Sequence, residues 1–277
     1  GATVVKHHKN LGYGAAIKTI FNESKKLDPQ NSIHKIKSAI LSSFTINGLA
    51  ECLQVKSHEK KINCQTYLGE YNQYNQEILN KNSKLYKFSP DITFLLLDTR
   101  SLLGEFFYTP YSLSYLERQK LIEKKFDEIK NLVTFFINQT KSKLVITNFN
   151  IPSYSPYGIF ETKAEDSFHT DIIKLNQNLV NEFTNHDSVF IFDFNSFVNF
   201  HGEKNIFDIK QFLFGDIKIS LDYIPTLANQ LMGYFYASLG LSKRAIVLDL
   251  DNTLWGGIIG EDGFNGIKLG DSAQGNS

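Results

Sequence analysis

The run Ile92-Thr93-Phe94-Leu95-Leu96-Leu97 is apolar at odd and even positions alike. Strand side chains alternate between two faces, so such a run must be covered on both, as in the middle of a parallel sheet flanked by helices. Around it, short β-rich runs alternate with segments of helical spacing. Residues 38–41 precede a helical pattern over 46–55, and 61–67 precede 72–79. The run 92–97 precedes 114–138, and 143–147 precedes 164–183. A strand over 189–192 and a helix over 223–239 complete the series. This alternation predicts an α/β fold with a doubly wound parallel sheet.

Composition narrows the function classes. The 277 residues suffice for one large or two ordinary domains with a buried core. Lys and Arg total 29 and Asp and Glu total 29, so no global basic field exists to hold nucleic acid or an anionic membrane. Cys52 and Cys64 are too few for a disulfide framework and lack zinc-ligand spacing, so both are expected as buried free thiols. No apolar run approaches the ~20 residues that span a bilayer, and the first residues carry no apolar signal core. A cytoplasmic protein is the expectation. The only methionine is Met232, which suggests a fragment of a longer chain.

Three regions are expected: an N-terminal helix and linker over 1–29, broken at Asp28-Pro29, an α/β domain over 30–240, and a second unit over 241–277 that opens with a strand over 243–250. Residues 150–163 hold prolines, a glycine and tyrosines between a strand and a helix. Such a loop at the strand ends is where an open α/β sheet builds its pocket.

The run Leu248-Asp249-Leu250-Asp251-Asn252-Thr253 ends the apolar stretch of the second unit with carboxylates two residues apart. On a strand, Asp249 and Asp251 can point to the same side. Two anions so close repel unless a cation or proton intervenes, and oxygen-only ligands favour a hard ion such as Mg²⁺. Such an ion would neutralise phosphate oxygens while one carboxylate attacks phosphorus and the other hands a proton to the leaving oxygen. Glycines 256, 257, 260 and 263 crowd the turn that follows.

Asp249-Leu250-Asp251-Asn252-Thr253 resembles the DxDxT first motif of the haloacid dehalogenase (HAD) superfamily, and residues 248–270 resemble its FkbH-like, HAD-IIIC phosphatase branch. Residues 72–79, 89–98 and 42–45 resemble the N-terminal domain of that branch. The resemblance implies Asp249 as the nucleophile that forms an aspartyl-phosphate, Asp251 as general acid and base, and Mg²⁺ held by Asp249 and the backbone carbonyl of Asp251. It gives Thr253 a supporting role and Trp255-Gly256-Gly257 the place of a mobile turn and flap. The sequence stops short of the second, third and fourth HAD motifs, so truncation after the first motif and negligible turnover by these residues alone are expected. A phosphorylated small molecule is the implied substrate, and an acyl-carrier protein that receives a glyceryl unit is an implied partner.

Residues 30–240 resemble an SGNH-hydrolase-like, flavodoxin-like domain. Ser42 or Ser43 follows the first strand, Gly69 the second, and Asp98 or Arg100 the third, so Ser43, Gly69 and Asp98 mark a candidate pocket. The residue types depart from that pattern, because Asp222-Tyr223-Ile224-Pro225 puts proline where a catalytic histidine would stand. The seven histidines are expected on the surface, with His201 the least implausible base. A serine nucleophile needs a base within reach. The alternatives are therefore an SGNH-type esterase or acetyl-transfer enzyme, and a non-catalytic carrier-docking module.

Overall fold

A computed structural model describes residue 22 and residues 32–164, 167–242 and 249–268. The helix and linker expected over 1–29 lie outside these residues apart from Asn22, as does the strand expected over 243–250 up to residue 248. The chain divides into two compact units, Gly1–Leu239 and Gly240–Ser277, and each is described by itself.

The first unit alternates strand and helix. Strand β1 (His34–Ser42) is followed by α1 (Leu49–Glu59), and β2 (Ile62–Leu68) by α2 (Tyr74–Leu79) and α3 (Lys84–Phe88). Strand β3 (Ile92–Leu96) leads into α4 (Thr99–Leu103) and α5 (Tyr115–Gln139), and β4 (Lys143–Thr147) into α6 (Phe168–Phe183). Strand β5 (Val189–Phe192) precedes α7 (Phe194–His201), α8 (Glu203–Ile206), α9 (Ile209–Gly215) and α10 (Ile224–Ser238). The five strands form one sheet in the order β2-β1-β3-β4-β5, and every pair is parallel. This is the doubly wound sheet that the alternation implied.

The central strand behaves as its composition requires. All of β3 is buried. Ile92, Phe94 and Leu96 join one apolar cluster with Leu53 of α1 and Leu231 and Phe235 of α10. Leu95 joins the other with Ile129 and Val133 of α5 and Leu175 of α6. The two-residue period of the strand thus feeds two cores, one on each face. Helix α5 starts at a capping box in which Glu117 reaches back to Ser114, and it is tied to α6 by the buried Arg118–Asp171 pair at 3.1 Å.

Several boundaries shift. Helix α1 starts at Leu49 rather than 46, because Gly48 takes a left-handed turn at φ 86° before it. Helix α6 starts at Phe168 rather than 164, where the Ser167 side chain accepts from the Thr170 N–H. The short helices α3, α8 and α9 are additions that the reading of residues 84–88 and 203–215 did not predict.

In the second unit, residues 249–258 form turns closed by bridges between Asp251 and Trp255 and between Gly256 and Lys268. Helix α11 (Ile259–Gly266) follows, interrupted at Gly263, where φ is 63° and ψ is 177°. No helix among the described residues is long and apolar enough to cross a membrane.

Candidate functional sites

The strand order reverses between β1 and β3, since the chain moves outward from β1 to β2 and then returns to the other side of β1. In an open α/β sheet the carboxyl ends of the strands at such a reversal frame the ligand crevice. Here β1 delivers Ser42 and Ser43, and β3 delivers Asp98.

Asp98 is the hub. Its carboxylate caps α4 by accepting from the Ser101 N–H at 3.2 Å, takes the Arg100 Nε at 3.5 Å, and receives the Lys218 ammonium on its other oxygen. Lys218 also donates to Asn150 Oδ1 at 3.0 Å and lies over the rings of Phe194 and Phe207 at 5.6 and 4.9 Å. Burial pushes the Lys218 ammonium down to about 7 from its ordinary 10.5. Arg100 spans to Asp216 and stacks on Phe212 at 4.1 Å. Asp216 is held in turn by the Tyr71 hydroxyl, and that hydrogen bond raises the Tyr71 pKa. Thr45 fixes the segment by donating to the Asp216 carbonyl at 3.0 Å from its N–H and to the Gly215 carbonyl at 2.8 Å from its hydroxyl.

Ser43 and Asp98 are therefore brought together, in a way that removes the serine from nucleophilic work. The Ser43 hydroxyl oxygen accepts from the Asp98 backbone N–H at 2.9 Å, and the residue is 2 % exposed. Ser42 Oγ accepts from the Phe44 N–H at 3.1 Å. No histidine hydrogen-bonds either hydroxyl among the described residues. Gly69 serves packing: its N–H donates to Ile40 O at 2.8 Å, and a Cβ there would lie 2.6 Å from Leu41 Cδ2. A cleft of about 390 Å³ opens beside this network, and its lining includes Asp98, Asn150 and Lys218 but not Ser43 or Gly69.

The expectation of surface histidines needs correcting. His186 is exposed, whereas His34, His58, His169 and His201 are half-buried. His201 is wedged among Phe197, Phe200 and Tyr223, with ring centroids 4.8 to 5.5 Å away, which is the setting of a packed ring rather than a general base. Asp222 is exposed, and Pro225 lies in the first turn of α10. Both cysteines are buried free thiols, and burial pushes Cys52 up to about 11 and Cys64 up to about 12, far from thiolate chemistry.

In the second unit the two acids have different surroundings. Asp249 is exposed, and among the described residues its Oδ1 accepts only from the adjacent Leu250 N–H at 2.9 Å. Asp251 is half-buried, and its Oδ1 accepts from the Trp255 indole N–H at 3.0 Å and the Ile259 N–H at 3.1 Å. Asn252, in the left-handed region at φ 56°, accepts from the Gly257 N–H and donates from its own N–H to Gly257 O. Gly257 has φ 106°, and a Cβ there would come within 2.9 Å of Asp262 Oδ2, so glycine is required. Thr253 is exposed, and its hydroxyl makes no hydrogen bond among the described residues. A hard cation suits the carboxylate oxygens of Asp249 and Asp251. Among the described residues no group of three or more His, Cys, Asp or Glu is arranged for a metal.

A sequence model of the FkbH N-terminal domain matches residues 37–234. The chain belongs to the FkbH-like family. Among solved structures, the N-terminal part of BF1531 from Bacteroides fragilis, containing a phosphatase domain and complexed with Mg, is 26% identical with a TM-score of 0.76. That match covers 92% of this chain and 65% of the BF1531 segment, so the FkbH-like chain spans less than two thirds of the relative's solved part. The lipase Lip_vut3 from a goat rumen metagenome, 12% identical with a TM-score of 0.51 over 73% of this chain and 98% of its own, shares the fold. No curated protein matches.

The residues that sequence reasoning missed in this FkbH-like domain are Lys218, Asn150 and Asp216. A lone lysine in a stretch that reads as loop carries no local signal. The structure places it through the segment that follows β1, where Ile217 bridges Thr45.

Proposed function

We propose that this chain is the SGNH-like domain and the opening of the HAD domain of an FkbH-like, HAD-IIIC phosphatase or glyceryl-transfer protein. The observation that carries the reading is the likeness to the BF1531 segment, which contains a phosphatase domain and Mg. In this reading Asp249, the acid with an uncommitted carboxylate, attacks phosphorus and carries the phosphoryl group as an aspartyl-phosphate. Asp251, oriented through one oxygen by Trp255 and Ile259, keeps its other oxygen to carry the proton for the leaving group and then for water. Mg²⁺, held by Asp249 and the carbonyl of Asp251, would supply neutralisation of phosphate charge. The substrate is a phosphorylated small molecule, and an acyl-carrier protein is the proposed acceptor.

Phosphoryl transfer depends on positioning and charge neutralisation. In this reading Asp249 to Thr253 supply the first motif, and the later motifs are contributed by residues other than these 277. This chain is therefore expected to bind a phosphate mimic in the presence of Mg²⁺ while turning over phosphate esters negligibly. Calorimetry with beryllofluoride and Mg²⁺ tests this. Binding lost in Asp249→Asn supports the reading, and binding indifferent to Asp249 or to Mg²⁺ refutes it. The esterase alternative has no support from Ser43, whose hydroxyl accepts the Asp98 N–H in a buried position.

A further inference from the structure

The cleft beside Asp98 has no part in the phosphoryl chemistry assigned to the second unit, yet it has the composition of a ligand site. Its volume is about 390 Å³, its walls include Phe107, Pro152, Phe207, Ile209 and Phe212, and its charged lining comprises Arg100, Lys204 and Lys218 against Asp98 and Glu203. Pockets of this size with apolar walls and a few convergent polar groups are the usual form of small-molecule sites.

The hydrogen-bond accounting at the polar end decides what such a ligand must bring. The buried acceptors are engaged. Asp98 Oδ1 takes Lys218, and Asp98 Oδ2 takes the Ser101 N–H and Arg100 Nε. At the half-buried Glu203, Oε2 accepts from the Ser153 N–H at 2.8 Å and Oε1 is the one carboxylate oxygen left over. Donors are left over. Asn150 uses its oxygens, with Oδ1 accepting from Lys218 and its carbonyl from the Thr99 hydroxyl, while its side-chain NH₂ has no partner among the described residues. Arg100 uses Nε and one terminal nitrogen, on Asp98 and Asp216, and keeps the other. Lys204 is exposed and makes no ion pair among the described residues. A complementary ligand therefore presents acceptor oxygens to these donors and an apolar body to the phenylalanines.

Two ligand classes bring acceptor oxygens, and the walls choose between them. A phosphate dianion would lose most of its hydration against Phe207, Phe212 and Ile209 with Arg100 already shared by two aspartates, a costly transfer. A carboxylate carries one charge on a planar pair of oxygens, which suits the remaining guanidinium edge and an amide NH₂. We propose that this cleft binds a monocarboxylic acid with an apolar tail, its carboxylate on Arg100 and Asn150 and its tail against Phe207, Ile209 and Phe212. The site sits at the carboxyl ends of the strands beside the sheet's reversal, with the buried Lys218–Asp98 pair in its lining. It binds without cleaving.

Calorimetric titration of the full chain with octanoate, octylamine and inorganic phosphate tests the proposal. Octanoate is expected to bind saturably, and octylamine and phosphate to bind about tenfold more weakly or not at all. Arg100→Gln should weaken octanoate about tenfold. Because Arg100 also joins Asp98 to Asp216, Ile209→Trp provides a second variant: it fills the cleft from an exposed position without touching the charge network, and it should also abolish octanoate binding. Absence of saturable octanoate binding, equal affinity for octylamine or phosphate, or full affinity in Ile209→Trp would each overturn the proposal. None of these outcomes depends on Asp249, so failure here is separable from failure of the phosphoryl reading.

Discussion

Asp98 in the first unit and Asp249 in the second both follow apolar runs that read as strands, and they differ in what surrounds them. Asp98 is buried and saturated by Lys218, Arg100 and a helix N–H, whereas Asp249 is exposed and, among the described residues, engaged only by its neighbour's N–H. A saturated carboxylate holds structure together. A carboxylate with oxygens to spare is free to meet a cation or a phosphorus atom.

The largest effect that would break this contrast lies at Lys218. Below pH 7, where Lys218 is an ammonium, Lys218→Met leaves the Asp98 charge buried without it, and should cost about 3–5 kcal/mol in a urea melt at pH 6. Adding Asp98→Asn should recover most of that loss. Near-wild-type stability in Lys218→Met would mean that Asp98 is not held as described. The same lysine predicts a pH dependence. The folded chain releases its proton near 7 while the unfolded chain keeps it to 10.5, so between these values the unfolded state binds more protons and stability rises with pH. The cysteine thiols oppose this trend above their ordinary 9.0. The clean window is therefore pH 7 to below 9.0, and the upward slope there should vanish in Lys218→Met.

Smaller effects sharpen the same comparison. Ser43→Ala strands the buried Asp98 N–H and should cost about 1–3 kcal/mol, with no change in any hydrolysis of activated esters. Ester hydrolysis abolished by that substitution would restore the serine to catalysis. Trp255→Phe removes one of two donors to Asp251 Oδ1 and should cost about 1 kcal/mol or less. The smallest effect is expected at the acid with the greatest proposed chemical role: Asp249→Asn should leave the melting midpoint unchanged.

The parts of this molecule legible in sequence are those governed by local periodicity. Strand β3 announced itself because Ile92–Leu96 is apolar on both faces, and β4 and β5 match their expected limits residue for residue. Helix starts at Leu49 and Phe168 were set by a left-handed glycine and a serine cap, which displace an apolar pattern by three or four residues without erasing it. Position along the chain also pointed to Asp98, which lines the cleft, and to Ser43, which lies behind it and does not. Their chemistry was not legible, because it depends on Lys218, which lies 120 residues from Asp98 in sequence. Burial by tertiary packing, which turned His201 from a surface residue into a packed ring, leaves a similarly faint trace in local pattern.

The spacing of Asp249 and Asp251 is a statement about chemistry, and one residue reports on it directly. Trp255, the only tryptophan, donates its indole N–H to Asp251. Its indole N–H resonance should broaden on titration with Mn²⁺, recover when Mg²⁺ competes, and fail to respond in Asp249→Asn. A resonance indifferent to millimolar Mn²⁺, or one that broadens equally in Asp249→Asn, would contradict a cation held by these two acids.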